Sequence, residues 1–158
     1  MEDCEIVEKC LSNDKQSFNL LIDKYKKDVY KISFYMLGSK ELATNSVKQV
    51  FTALYTDLSE FKGQSDFSVF LFRVTMKQLA LLCKNNDDSQ TTPFGGVLVQ
   101  ALMTLSVVNR QLIILREIEK LSYFEIGSIL CISKDQVSMQ LSEARKSLLV
   151  TYKNLGAL

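Results

Sequence analysis

"LSYFEIGSILCISKDQVSMQL", residues 121–141, predicts two short helices around a tight turn. Ser122 followed by Glu125, and Ser133 followed by Gln136, both fit the capping box, in which two side chains three residues apart satisfy free backbone N–H groups at a helix start. Ile126, Ile129 and Leu130 form one apolar face, and Val137, Leu141, Ala144 and Leu148 form the next. Gly127 is small enough to let the two helices cross closely. The pattern predicts a helix-turn-helix with Lys134 to Leu149 as its second helix, backed by a helix from Val107 to Glu119. Its exposed face is unusual for a helix that reads base edges. Where Arg, Lys, Asn or Gln are common, it carries mainly Ser138, Gln140, Ser142 and Glu143.

Helical spacing continues through the rest of the chain. Phe18, Leu21, Ile22, Tyr25, Val29 and Ile32 recur at threes and fours, and Gly38 stands where a left-handed residue would close that helix. Val47, Val50, Phe51, Leu54 and Leu58 repeat the pattern, and Phe67, Phe70, Leu71 and Val74 open another helix after "FKGQSDF". No stretch alternates convincingly as a strand would. Residues 85–96, "NNDDSQTTPFGG", hold the only proline and two of the six glycines, the composition of a linker. The prediction is all-α: two small helical domains, residues 1–84 and 97–158, joined by the short linker 85–96. A linker of this length reaches at most about 40 Å when extended, so closed packing of one domain on the other competes with an open arrangement.

Composition narrows the chemistry. The chain has 158 residues, 47% of them hydrophobic, enough to bury a core. Its 19 basic and 18 acidic residues give a net charge of +1. Residues 1–84 carry 12 basic and 11 acidic side chains, and residues 97–158 carry 7 and 5, so affinity for nucleic acid must come from local patches. Cys4, Cys10, Cys83 and Cys131 form no C-x-x-C pair, and histidine is absent, which argues against structural zinc or any other cofactor. Without a charged leader, and with apolar runs such as "FSVFLF" and "LIIL" too short to span a bilayer, the expectation is a cytoplasmic protein with reduced thiols and no membrane insertion. No phosphate-binding glycine loop or nucleophile constellation suggests an enzyme.

Residues 109–148, "NRQLIILREIEKLSYFEIGSILCISKDQVSMQLSEARKSL", resemble region 4 of the extracytoplasmic-function sigma factors, whose pattern runs from "LPxxxR" through "REIEGLSYEEIAEILGIS" to "VKSRLHRARK". The first half, "FNLLIDKYKKDVYKISFYMLGSKELATNSVKQVFTALYTDLSEFKGQSDFSVFLFRVTMKQLAL", is similar to region 2 of the same family. The resemblance covers most of the chain in the family's order. It implies a subunit, not an enzyme, that binds RNA polymerase core, recognises promoter DNA with both domains, and is held in check by an anti-sigma protein.

The family's residues carry over only in part. Its acidic core-binding line, "DAEDLVQE", falls on residues 42–49, where the carboxylates are gone, so the implied polymerase contacts become Asn45, Lys48, Gln49 and Thr52. A lysine facing arginines on the polymerase would cost on the order of several kcal/mol. The downstream promoter element and its melting are implied for Lys62, Gln64, Ser65, Phe67, Arg73 and Lys77, an aromatic ring for stacking and cations for phosphates. The upstream element is implied for Lys134, Gln136, Ser138, Gln140, Ser142, Arg145 and Lys146, with the basic pattern thinned to Arg145 and Lys146 at its end. Cys131 replaces the glycine of the turn, so it must either take a left-handed conformation, at roughly 1–2 kcal/mol, or change the turn. The competing implication is a sigma-like regulatory protein with weakened promoter recognition that works through protein contacts.

Overall fold

The computed structural model describes residues 2–85 and 95–156, and among these every regular element is a helix. The all-α expectation holds. Of the linker predicted at 85–96, all but Asn85, Gly95 and Gly96 lies outside the described residues.

Local chemistry sets the starts of the second and third helices and the end of the second. α1, Asp3–Leu11, precedes Asp14, whose side chain accepts from the backbone N–H groups of Gln16 and Ser17 and starts α2, Lys15–Leu37. The hydrogen bond from the Ser17 hydroxyl is the main reason the Asp14 carboxyl sits below its usual pKa. Gly38 closes α2 at φ 68°, and Ser39 caps α3, Lys40–Asp57, by accepting from Leu42. A short 3-10 turn, Leu58–Glu60, leads through the loop at residues 61–66 to α4, Phe67–Asn85. Leu21, Val29, Ile32, Val50, Leu54, Leu71 and Leu79 are fully buried between these helices.

The second half opens with α5, Val97–Thr104, and α6, Val107–Ile113, which continues into a π-helical turn at Ile114–Ile118. The predicted helix 107–119 therefore widens in its last turn. α7, Tyr123–Leu130, and α8, Lys134–Asn154, are the predicted helix-turn-helix, and α8 runs one turn beyond Leu149. Both capping boxes are formed: Ser122 and Glu125 exchange bonds of 2.8 and 3.1 Å, and Ser133 and Gln136 exchange bonds of 3.0 and 3.1 Å. Cys131 takes the left-handed conformation at φ 58° and ψ 43°. Gly127 is required for a reason other than helix crossing. A Cβ there would sit 2.7 Å from the carbonyl oxygen of Ile132, so it is the turn's own backbone that leaves no room.

The two halves pack closed, and their buried apolar residues form one continuous cluster. Arg110, on α6, is the polar centre of this junction. Its Nε donates to Leu102 O at 2.9 Å and its Nη2 to Leu105 O at 3.1 Å, while Nη1 reaches across to Met36 O, at the end of α2, at 2.5 Å. The C-terminal carbonyls of a helix favour a cation, which offsets the burial that lowers the guanidinium's pKa. Next to it Gln111 Nε2 donates to Met76 O on α4 at 3.1 Å. Gly38 also admits Met103: a Cβ at Gly38 would lie 2.7 Å from the Met103 sulfur.

Candidate nucleic-acid and partner interfaces

Three surfaces carry the side chains singled out from the sequence. On α8, Lys134, Gln136, Ser138, Ser142, Arg145 and Lys146 are exposed and Gln140 is half-buried, so all seven are presented by one helix. Two are already engaged. The Gln136 Oε1 accepts from the backbone of Ser133, and Arg145 Nε donates to Glu117 Oε1 at 2.6 Å across the turn from the π-helix. The bond to Glu117 raises the already high pKa of Arg145 and pairs its charge within the molecule.

Sequence reading missed the apolar side chains of the same region. Phe124 at the start of α7 is 75% exposed and Met139 on α8 is 60% exposed. Phe124 also lines a cavity of about 460 Å³ with Cys131, Ile132 and Lys134 at the turn. The apolar phase of α7 assigns Ile126 and Ile129 to the core but does not reveal that Phe124 has no neighbour to cover it.

The second surface is the loop before α4. Lys62, Gln64 and Ser65 are exposed there, and Gln64 and Ser65 line a cavity of about 650 Å³ with Asp3, Tyr25 and Asp66. Asp3, on the unanticipated α1, forms one wall, holding Lys24 and the Tyr25 hydroxyl at 2.7 Å each. Burial and the Asp3 carboxylate raise the Tyr25 pKa, so the phenol stays protonated and donates. Phe67 departs from the expectation. It is 3% exposed, and its ring packs against Phe61, Tyr25 and Phe70 at centroid distances of 5.3, 5.8 and 6.1 Å, so it belongs to the core and its faces are taken. Arg73 and Lys77 are exposed on α4, but Arg73 Nε donates to Ser128 O on α7 at 3.1 Å, which turns that cation toward the other half of the molecule.

The third surface lies along α2 and α3. Asn45, Lys48, Gln49 and Thr52 are exposed on α3, and Lys48 and Thr52 line an apolar groove of about 540 Å³ with Phe18 and Ile22 of α2. The first three form no hydrogen bond that fixes their side chains to α2, so the row is presented to solvent by α3 alone.

Residues 96–148 match the family model "Sigma-70, region 4". Over 165 aligned residues the chain is 25% identical to the ECF RNA polymerase sigma factor SigW of Bacillus subtilis, covering 85% of this chain and 88% of that one. Over 177 aligned residues it is 23% identical to the RNA polymerase sigma-H factor of Pseudomonas aeruginosa, covering 93% and 92%. Among solved structures it is similar in fold to CnrH in complex with the cytosolic domain of CnrY, with a TM-score of 0.75, 18% identity and coverage of 96% and 97%. It is also similar to the sigma factor RpoE in complex with the anti-sigma factor NepR from Bartonella quintana, with a TM-score of 0.68, 17% identity and coverage of 87% and 98%.

The doubly capped helix-turn-helix lies within the stretch that matches region 4, and the relatives that the chain resembles over most of its length are sigma factors, which are transcription regulators and not enzymes. Over most of its length the chain is similar to RNA polymerase sigma factors, an extracytoplasmic-function member among them, and its residues 96–148 match region 4 of the sigma-70 type.

Proposed function

We propose that this chain binds RNA polymerase core in the cytoplasm and directs it to promoters, with residues 1–84 and 97–158 acting as the two functional domains and residues 85–96 as the tether between them. The observation that supports this most is the exposed face of α8, presented from two complete capping boxes inside the stretch that matches region 4. In this reading Lys134, Gln136, Ser138, Gln140, Ser142, Arg145 and Lys146 meet the upstream element. Lys62, Gln64, Ser65, Arg73 and Lys77 meet the downstream element, and Asn45, Lys48, Gln49 and Thr52 meet the polymerase. An anti-sigma protein is the proposed inhibitor, by analogy with the complexes in which the structural relatives were solved.

A second reading is favoured by the pairing of Arg145 with Glu117 and of Arg73 with Ser128. With two cations occupied inside the molecule, a sigma-like protein that acts through protein contacts needs no strong DNA affinity. Transcription from genomic fragments by core polymerase, with and without the purified chain, decides between them. Chain-dependent start sites are expected. Stable association with core polymerase but no start sites would favour the second reading, and no association would reject both.

A further inference from the structure

At about 100° per residue, helix geometry gives every side chain of α8 a direction around its axis. Val137, Leu141 and Ala144 are buried and define the direction of the core. Met139 and Lys146 stand about 170° from that direction, and Asp135, Ser142 and Glu143 lie within about 60° of the line opposite the core. All five are exposed. Ser138 and Gln140 stand on the two flanks, at about 90° and 70° from the core direction, and Gln140 is half-buried. Met139 is therefore at the middle of the face that α8 turns outward.

The chemistry of this row differs from that of its flanks. Among residues 134–148 Met139 is the one exposed apolar side chain. Asp135 lies in the first turn, where a carboxylate complements the positive end of the helix, so its place has a local cause. Glu143 lies beyond that reach, and among the described residues no hydrogen bond or ion pair engages it. A thioether and a carboxylate thus project from the outward face about 6 Å apart along the axis. In a major groove the apolar group that suits the first is the thymine C5 methyl, and the donor that suits the second is the cytosine N4 amino group. Adenine N6 also donates, but its N7 acceptor sits beside the donor and repels a carboxylate. At 3.4 Å per base step, the separation of the two side chains is about two steps.

We propose that Met139 and Glu143 set the base preference of α8, Met139 packing on the C5 methyl of a thymine and Glu143 accepting from the N4 amino group of a cytosine about two steps away. The inference rests on the reading of α8 as a DNA-facing helix and names the bases that it reads. For the test, a random-sequence duplex library is selected on core polymerase carrying the full chain, and on the same complex with Met139→Ala or Glu143→Arg. Both positions are exposed, so helicity by circular dichroism should be unchanged. The wild-type chain should enrich a thymine and a cytosine at that spacing. Remaking the enriched duplex with deoxyuridine at that thymine removes only the methyl group and should weaken binding about fourfold, the effect of one buried methyl. Met139→Ala should bind both duplexes alike. Glu143→Arg should exchange the cytosine for a guanine, whose O6 and N7 accept from a guanidinium, with a preference on the order of tenfold.

An enriched motif without that thymine and cytosine, no loss on deoxyuridine, a loss that persists in Met139→Ala, or a cytosine preference kept by Glu143→Arg overturns the base assignments alone. The absence of any enriched motif overturns them together with the DNA-facing reading of α8, and is the result expected of a face that seats a protein instead.

Discussion

Lys31 Nζ lies 2.9 Å from Glu119 Oε1, and this pair joins α2 to the residue that ends the π-helical turn. The Glu119 side chain is 9% exposed while that of Lys31 is 42% exposed, so the lysine brings its charge from solvent to a carboxylate that has little water of its own. Removing the cation strands the carboxylate, which costs more than losing a surface pair. Lys31→Ala should destabilise the fold by about 1–2 kcal/mol, and Glu119→Gln by less, since an amide can be buried more cheaply. The Glu119 carboxylate beside it raises the Lys31 pKa. A raised folded value means that the contribution is whole below the ordinary lysine pKa and fades as the pH climbs through the raised one. Urea melts of wild type and Lys31→Ala should therefore converge in alkaline buffer and differ at neutrality.

Arg110 carries a larger share of the closed packing. Its donors satisfy the carbonyls of Leu102, Leu105 and Met36 in a buried place, and no smaller side chain reaches all three. Arg110→Ala leaves those acceptors unmet and should cost about 3 kcal/mol or more, because each buried unsatisfied group costs about 1–3 kcal/mol. Arg110→Lys should recover part of this through one ammonium. A thermal melt of the alanine variant that matched wild type would contradict the role assigned to this residue.

The contrast between these residues and the helix-turn-helix explains what could be read beforehand. Ser122 with Glu125, Ser133 with Gln136, and Gly38 act on backbone groups within a few residues of themselves, so their spacing is the whole signal. Arg110, Gln111 and Lys31 act on partners 74, 35 and 88 positions away or nearby only after folding, and no local pattern encodes a carbonyl left free at the end of a distant helix. Phe67 fails for a related reason. An aromatic residue at a helix start suits stacking on a base or packing in a core equally well, and Phe61, Tyr25 and Phe70 decide it in three dimensions. The groove on α2 and α3 was half visible: Val47 and Phe51 were recognised as apolar, whereas the groove itself needs two helices to form.

Cys131 holds a left-handed backbone without the freedom of glycine. Relief of about 1–2 kcal/mol of strain exceeds the added entropy of a glycine in the unfolded chain, roughly 0.5–1 kcal/mol. Cys131→Gly should thus raise stability by about 0.5–1 kcal/mol, while Cys131→Val should lower it, since a β-branched residue resists this conformation most. The midpoint of urea unfolding checks both signs.

Glu117 restrains the cation that α8 would bring to DNA. Arg145 and Glu117 are 45% and 41% exposed, so the pair contributes about 0–1 kcal/mol to stability and its loss should hardly move the melting temperature. Glu117→Gln should nevertheless raise affinity for duplex DNA and steepen its salt dependence by up to about 0.9 in slope, one phosphate contact's worth. Unchanged slope would place Arg145 away from the phosphates.

The face of α8 itself decides whether the proposed promoter reading holds. Ser138 is exposed and Gln140 half-buried on it, without the charges that usually anchor such a helix to phosphate. If this face enters the major groove, Ser138→Lys with Gln140→Arg should strengthen binding to promoter duplex and raise the salt slope by about 0.9 for each phosphate gained. Gln140→Ala should weaken binding by about 1–3 kcal/mol if its amide bonds an adenine, and should do so on one sequence and not on others. Titrations of wild type, the double variant and Gln140→Ala at two salt concentrations separate these effects, with a mixed-sequence duplex as reference. Uncovered Phe124 and Met139 on the same half of the molecule set the alternative. Where a protein partner seats on this face instead, two new charges would lose solvation in the contact, so the double variant would bind DNA no better and the partner worse. Flat DNA titrations for both variants would end direct readout by α8 and leave protein contact as its role.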